Sequence, residues 1–236
     1  MHRFFVEKCA IDGEKIHLTD DIRNHLKSIR LRENEQFILC DGLCLDYVCV
    51  LQDGGAKILE TKENRAELSV DVAVYLAYTK GDKLDFAVQK SVELGACSIV
   101  LFPSSRTIVQ LDDAKRTKKQ ARLQKIAHEA AKQSGRGIMP VVRTVDCFGV
   151  AMEDAGKAEL PLFLYENEQN ITLRGAMKKA ESAKTISIVA GPEGGFAPEE
   201  VDEAIKAGLI AVSLGARILR AETAPLAALA VTGACL

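Results

Sequence analysis

Two glycine-rich segments in the C-terminal third of the sequence combine bare backbone with charged side chains. The first, AGPEGGFAPEEV (190–201), and the second, LGARILRAETAPLA (214–227), each follow an apolar run and precede a helical pattern. Backbone N–H groups at such turns bind anions, but Glu193 would repel a phosphate. The sequence contains neither a GxGxxG fingerprint nor a GxxxxGKS/T phosphate loop. We therefore expect a neutral or cationic ligand that carries hydroxyl groups.

The two segments are expected to lie close together. Each follows a predicted strand, and α/β sheets bind ligands at the carboxyl ends of their strands. The loops 191–196 and 215–222 would then form one crevice. A structural alternative stays open, in which the glycines only form turns and Arg220 pairs with Glu222.

Basic residues form a second group of candidates. The segment KRTKKQARLQK (115–125) has six basic residues and no acid, while SSR (104–106) and KQSGRG (132–137) place Arg106 and Arg136 at the ends of a strand and a helix. Arginines in such places bind phosphate or stack on bases. They can equally cap carbonyl groups, and a basic helix can equally be a solvated face. The net charge of −2 gives no electrostatic hint of a nucleic-acid partner for the whole chain.

Composition places the 236-residue chain among soluble globular proteins, with 47% hydrophobic and 27% charged residues. No apolar run approaches the roughly 18 residues of a membrane span, and the N-terminus lacks the apolar core of a signal peptide. We expect a cytoplasmic protein whose seven cysteines are reduced and buried. The spacing of Cys40, Cys44 and Cys49, without a nearby histidine, does not favour zinc, and no metal is expected.

From about residue 70, apolar runs alternate with helical periodicity, which predicts an α/β domain with a mainly parallel sheet. The predicted strands are 70–78, 97–104, 139–145, 160–166, 185–191 and 210–215. Helices are predicted over 82–95, around the apolar stripe from Leu123 to Ala131, over 198–207, and from Thr223 onward.

The first 68 residues have a different pattern. Short candidate strands separated by Gly and Asp turns suggest a small β-barrel or sandwich, with one helix inserted at 20–32. The charged stretch ETKENRAELS (60–69) predicts the boundary between two domains.

Several segments together resemble one family in its chain order. They are KGDKLDFAVQKSVELGA, SSR, QSGRG, GPEGGF and LGARILRAETA, with RFFV and HLKSIRLR near the N-terminus. The family is the ribosomal RNA small-subunit methyltransferase E family, bacterial enzymes that methylate N3 of a uridine in 16S ribosomal RNA. The resemblance covers essentially the whole chain. It implies a PUA-like, RNA-binding β-barrel over 1–68, a SPOUT methyltransferase domain with a C-terminal trefoil knot over 69–236, S-adenosylmethionine as cofactor, and a homodimer whose active site spans the subunit interface.

The resemblance also implies which residues act. The cofactor contacts would be Leu164, Glu166, Gly191, Pro192, Glu193, Leu214, Gly215, Ile218, Leu219 and Arg220. RNA contacts would come from Arg3, His25, Lys27, Arg30, Arg106 and Arg136. Arg3 and Arg30 could instead pair with local acids. Ala197 stands where the family often has Ser or Thr, so the helix that follows lacks a side-chain N-cap.

Methylation at uracil N3 requires removal of a weakly acidic proton and stabilisation of the resulting anion. We hypothesise that Arg220, with Arg136 or Arg106, stabilises the developing negative charge on uracil or grips flanking phosphates. Glu222 is a candidate for the base, or it orients Arg220. The substrate would be 16S ribosomal RNA or the small ribosomal subunit. Two alternatives remain: a SPOUT methyltransferase that modifies another RNA position, and a non-catalytic RNA-binding protein that retains the fold.

Overall fold

The structure is a computed structural model that describes residues 1–32, 34–107 and 112–236, with the side chains of 179–181 excepted. No helix in these described ranges is both long enough and apolar enough to span a membrane. The cysteines are free thiols, but only Cys40 and Cys49 are buried. The expectation that all seven are buried is therefore wrong. Exposed cysteines are Cys9, inside the short 3₁₀ helix Lys8–Ala10, Cys147, just before the helix Phe148–Ala155, and Cys235, at the end of the helix Thr223–Cys235.

The chain forms two compact units. The first contains Met1–Glu67 together with Ala131–Met139, and the second contains Leu68–Ala130 together with Pro140–Leu236. The sequence-based division assigned residues 131–139 to the C-terminal domain, whereas the structure assigns them to the first unit. Helical periodicity could not reveal this, because a single helix, Asp113–Ser134, continues past residue 130 without a break.

The first unit is built on a mixed six-stranded sheet with the order β1-β4-β5-β6-β3-β2. The β1–β4 pair is parallel and the other pairs are antiparallel. No pairing joins the two edge strands among the described residues, so the sheet is not a closed barrel. Its elements are β1 (Arg3–Phe5), β2 (Ile11–Asp12), β3 (Lys15–Ile16), α1 (Asp20–Ser28), β4 (Phe37–Cys40), β5 (Leu45–Gln52) and β6 (Gly55–Glu63).

Local sequence explains the β5–β6 turn and the start of α1 in this unit. Asp53 and Gly54 both have positive φ, 50° and 76°, as a two-residue hairpin turn between β5 and β6 requires. Thr19 caps α1 by accepting the N–H of Ile22 at 3.3 Å. The predicted four strands and one helix are present, whereas β2 and β3, with two residues each, are too short to give a periodic signal.

Arg136 anchors the segment 131–139 to Glu67 within the first unit. Its side chain is 2% exposed, and its Nε lies 2.9 Å from both carboxylate oxygens of Glu67. Glu67 also accepts the backbone N–H groups of Gly137 at 2.8 Å and Ile138 at 3.2 Å. A buried charge pair that is also hydrogen-bonded to backbone therefore positions the QSGRG segment.

A second polar cluster lies in the same unit. Arg3 donates to both oxygens of Asp46, at 2.7 and 2.5 Å, and to the carbonyl oxygen of Arg136 at 3.1 Å. Asn64 joins Asp46 to the carbonyl oxygen of Gly135, with distances of 3.0 and 2.9 Å. The N-terminal strand, the β5–β6 hairpin and the segment 131–139 are thus held together by one hydrogen-bond network.

The second unit is built on a six-stranded sheet with the order β12-β10-β11-β7-β8-β9, in which every pair is parallel. Its strands are β7 (Asp71–Ala77), β8 (Ser98–Phe102), β9 (Val141–Thr144), β10 (Leu160–Leu164), β11 (Thr185–Ala190) and β12 (Ile210–Val212). Its helices are α2 (Lys83–Glu93), α3 (Asp113–Ser134), whose last turn belongs to the first unit, α4 (Phe148–Ala155), α5 (Leu173–Ala176), α6 (Pro198–Lys206) and α7 (Thr223–Cys235). The α/β class and the parallel sheet predicted from the sequence are confirmed.

Strand order brings three loops to one edge of this sheet. β10 lies between β11 and β12, and Leu164 is in register with Val212. The loops that follow β10, β11 and β12 therefore begin side by side. The final helix, α7, packs against α2 and β11, and its buried positions recur at helical spacing from Pro225 to Thr232.

We expect Glu67→Gln to destabilise the first unit by about 3 kcal/mol, because it leaves the buried Arg136 guanidinium without its counter-charge. Urea unfolding followed by circular dichroism measures the loss. Glu63→Gln is the matched control, since Glu63 pairs with Arg65 on the exposed surface, where loss of the pair should cost under about 0.5 kcal/mol. Equal losses for the two variants would contradict a stabilising role for the Arg136–Glu67 pair.

Candidate functional site

A cleft with a volume of about 850 Å³ opens where β10, β11 and β12 end. Its walls come from the loops 164–172, 190–196 and 212–224, with Lys83 of α2 at its margin. This volume is in the range of small-molecule sites. All ten residues predicted to contact the cofactor line it: Leu164, Glu166, Gly191, Pro192, Glu193, Leu214, Gly215, Ile218, Leu219 and Arg220.

The segment 191–196, called the glycine loop below, forms one wall. Its far end is anchored by Phe196, which is 3% exposed and stacks on Phe163 with 4.3 Å between ring centroids. A Cβ on Gly191 would lie 2.9 Å from the Phe196 ring, and a Cβ on Gly195 would overlap Oε1 of Glu166. Gly195 also has a φ of +66°. The bare backbone is therefore required by the packing beneath the loop and by its conformation.

Glu193 in the glycine loop is neutralised by its neighbours. Its Oε1 accepts a hydrogen bond from Lys83 Nζ at 2.9 Å and from the backbone N–H of Lys80 at 3.2 Å. Burial acts to raise the pKa of Glu193, but these hydrogen bonds outweigh it and the pKa lies below its usual value. The sequence argument that Glu193 repels phosphate is weakened, because Lys83 compensates its charge.

Glu200 caps the N-terminus of helix α6, because Ala197 at the N-cap position has no polar side chain. Glu200 is 6% exposed and accepts the backbone N–H of Ala197 at 2.9 Å, which is half of a capping box. It also accepts the N–H of Ser105 at 2.8 Å and the hydroxyl of Ser104 at 3.2 Å. Arg106 donates to the carbonyl oxygen of Gly194 at 3.1 Å. The SSR segment is thus bonded to the glycine loop and to α6.

The loop 212–224, which follows β12 and is called the third loop below, presents two charged groups that are not paired with each other. The exposed Arg220 uses its carbonyl oxygen to accept the N–H groups of Thr223 and Ala224, at 2.8 and 3.0 Å, at the start of α7. No described residue bonds to its guanidinium. Glu222 Oε2 is buried and has no hydrogen-bond partner in the described part of the chain. The alternative of an Arg220–Glu222 ion pair is therefore not observed, and both groups are available to a ligand.

Arg136 does not line the cleft. The sequence analysis proposed it for catalysis and for RNA binding, but its guanidinium is buried against Glu67 in the first unit. This arrangement indicates a structural role for Arg136. Its position in a family motif could not show whether its role is structural or in catalysis and RNA binding.

The remaining predicted RNA contacts divide into two groups. Arg3 is bonded to Asp46, as the structural alternative anticipated. His25, Lys27 and Arg30 are exposed at the C-terminal end of α1, where Arg30 has a left-handed φ of 54°. The His25 ring contacts Phe4 edge-on, with centroids 5.1 Å apart. The alternative for Arg30, pairing with a local acid, is not found among the described residues.

Sequence reasoning missed several residues that line the cleft. They include Lys83, Tyr165, Gln169, Thr172 and Arg217. Lys83 and Arg217 lie in segments that carried the family resemblance, so their type and position were visible in the sequence. The proximity of Lys83 to the glycine loop was not visible, because α2 is more than 100 residues away along the chain.

Several of the proteins to which this chain is similar are methyltransferases. A family model described as RNA methyltransferase domain matches residues 66–233. Ribosomal RNA small subunit methyltransferase E of Bacillus subtilis is 33% identical over 97% of this chain and 94% of its own length. The crystal structure of ribosomal RNA small subunit methyltransferase E from Neisseria gonorrhoeae, bound to S-adenosyl methionine, is 33% identical, with a TM-score of 0.84 over 98% of this chain and 96% of that one. A methyltransferase from Legionella pneumophila, with bound cofactor SAM, is 27% identical with a TM-score of 0.85 and the same coverage.

We expect Gly195→Ala to weaken binding of S-adenosylmethionine at least about tenfold, because it strains the backbone and displaces Glu166. Isothermal titration calorimetry measures the affinity. Gly208→Ala is the control, because Gly208 also has a positive φ, +92°, but an added Cβ there meets open space outside the cleft. A Gly195→Ala protein with unchanged affinity would show that the glycine loop does not hold the ligand.

Proposed function

Because the chain belongs to the ribosomal RNA small subunit methyltransferase E family of RNA methyltransferases, we propose that it methylates N3 of a specific uridine in 16S ribosomal RNA. The methyl donor would be S-adenosylmethionine, and the reaction would take place in the cytoplasm. The observation that carries this proposal is the cleft at the carboxyl edge of the parallel sheet, lined by both family segments, GPEGGF and LGARILRAETA.

The residues in the cleft fit this cofactor. Bare backbone in 191–196 offers N–H and C=O groups that can read an adenine edge, and the carboxylate of Glu166 offers acceptors for hydroxyl or ammonium groups. Arg217 and Arg220 are exposed on the same wall. Since Glu222 Oε2 has no hydrogen-bond partner among the described residues, a ligand donor would satisfy a buried acceptor that is otherwise costly.

S-adenosylmethionine supplies a methyl group on a sulfonium, which a nucleophile takes by in-line displacement. The residues of the chain have to position uracil N3 and handle its proton. We assign Arg220 to stabilise the negative charge that develops on the uracil oxygens, because its guanidinium is unpaired in the described chain. Glu222 would accept the N3 proton. Arg106 remains a candidate for an RNA contact, since it is exposed while donating to Gly194.

RNA binding by the first unit is part of the proposal. His25, Lys27 and Arg30 form an exposed, partly basic end of α1 and would contact phosphates. A PUA-like barrel remains the proposed relationship of this unit, supported by the family resemblance and by its six strands with one inserted helix.

We also propose that the C-terminal part of the second unit forms the trefoil knot of the SPOUT fold. Two features support this. β12 pairs with β10 on the side opposite β11, and α7, which follows β12, packs back against β11 and α2. A chain that returns through its own preceding loop would give this pattern of contacts.

The first test is transfer of labelled methyl from S-adenosylmethionine to 16S ribosomal RNA or small subunits from cells that lack the modification. A methyl on N3 blocks Watson–Crick pairing, so primer extension should stop at one uridine. Arg220→Ala should lower turnover about 10²- to 10³-fold while leaving the calorimetric affinity for the cofactor within a few-fold. Glu222→Gln should also lower turnover.

Arg174→Gln is the control, because Arg174 is exposed on α5 outside the cleft and should turn over normally. Transfer to another nucleotide would indicate a methyltransferase with a different RNA position as target. Absence of both transfer and cofactor binding would favour a non-catalytic RNA-binding protein. Unchanged turnover in Arg220→Ala would contradict its assignment.

A homodimer is the proposed assembly, supported by an uncovered apolar face on α7. One face of this helix is buried, while Ala230, Val231 and Ala234 are exposed on another. A second copy of the chain would cover this face.

Sedimentation velocity at micromolar concentration should therefore give one species of twice the 25.6 kDa chain mass. Val231→Asp should shift the protein towards the monomer, because it would bury a charge, and should lower methyl transfer if the site spans the interface. Lys178→Asp, an exposed change outside α7, is the control. A wild-type monomer that transfers methyl would contradict the proposed assembly.

A further inference from the structure

We propose that Lys83 is a positioning residue for the cofactor-binding wall: through its ion pair with Glu193 it holds the glycine loop in the conformation that shapes the cleft. The inference rests on the proposed function, because that function makes this loop a wall of the cofactor site. Neither the sequence motifs nor the comparisons assign a role to Lys83.

The contacts join the beginning of α2 to the middle of the loop. Lys83 Nζ lies 2.9 Å from Glu193 Oε1, and the backbone N–H of Lys80 donates to the same oxygen at 3.2 Å. The side chains of Lys83 and Glu193 are 34% and 32% exposed, so water screens the pair only in part. Two donors from the segment KGDK thus converge on one carboxylate oxygen of the loop.

Two side chains from outside the loop restrain its middle: Arg106, which donates to the carbonyl oxygen of Gly194 at 3.1 Å, and Lys83, which pairs with Glu193. Gly194 and Gly195 have no side chains to pack, and glycine loses more conformational freedom than other residues when it is ordered. The end of the loop is anchored by Phe196 on Phe163, while Gly195 N–H donates to Pro192 O at 3.0 Å within the loop. The Lys83–Glu193 pair supplies a charged attachment to a helix outside the loop.

Glu193 acts mainly on its own loop in this interpretation. The family resemblance implied that it contacts the cofactor, but the oxygen closest to α2 already has two donors. Lys83 also lines the cleft, so a direct contact between Lys83 and a ligand is the competing explanation. The two explanations differ in whether the effect of changing Lys83 depends on Glu193.

The test begins with Lys83→Met in the full chain. We expect the Kd and the KM for S-adenosylmethionine to rise about fivefold, near the upper limit for a partly exposed ion pair, while kcat at saturating cofactor stays within about twofold. In the protein without ligand, amide hydrogen exchange at Gly194 and Gly195, followed by NMR, should become faster. Lys83→Arg should restore most of the affinity.

Lys90→Met is the matched control. Lys90 lies on the same helix and pairs with Glu93 at 2.7 Å, with side chains 35% and 24% exposed, but it does not line the cleft. Its replacement should change neither the affinity nor the exchange at the loop. An equal effect of both variants would show that general weakening of α2 is responsible.

A double-mutant cycle separates positioning from direct contact. If Lys83 acts through Glu193, Lys83→Met should have little further effect on Kd in a Glu193→Gln protein. Additive effects would overturn the proposal in favour of a direct ligand contact, and unchanged loop exchange in Lys83→Met would overturn it as well. If the wild type fails to bind S-adenosylmethionine but the loop exchange still responds to Lys83→Met, the proposed function fails while the positioning role stands.

Discussion

Parallel hydrogen bonding between β10, β11 and β12 is the constraint from which the cleft follows. Parallel neighbours bring their carboxyl ends to the same edge, and the helices that connect them must cover the faces of the sheet. The loops that follow these three strands lie together at that edge, beyond the faces that the helices cover. They form a cleft of about 850 Å³. A different strand order would leave the same loop sequences separated.

Charges within this cleft serve two different purposes. In the glycine loop the charge of Glu193 is satisfied by Lys83 and the Lys80 N–H, so it contributes to the shape of the wall. In the third loop Arg220 and the buried Glu222 Oε2 have no such partners among the described residues. A carboxylate that is already paired costs little to keep, whereas a buried carboxylate oxygen without a donor costs about 1 to 3 kcal/mol or more, which a ligand donor would remove. This difference supports the proposal that the third loop carries the chemistry and that the glycine loop has a supporting role.

Two arginines of the first unit show that residue type and motif position do not determine which partner a side chain meets. Arg136 has the residue type and motif position of a phosphate-binding group, but Glu67 meets it in a buried pair, and Arg3 meets Asp46 in the same way. Both acids lie far from their partners along the chain. Whether an arginine is free for RNA depends on which carboxylate the fold brings to it, and spacing does not contain that information.

The sequence by itself determined the α/β class, most strands and helices of the second unit, and ten of the residues that line the cleft. These follow from local periodicity, from turn residues such as Gly95 and Gly208, and from two segments whose loops must lie at strand ends. Only the tertiary structure decided that 131–139 belongs to the first unit, that Lys83 holds Glu193, and that Arg220 and Glu222 do not pair. Each of these depends on side-chain contacts between distant segments or on the path of the backbone after a helix. A local sequence pattern indicates which face of an element is buried, but it does not indicate which residue of another segment packs against that face.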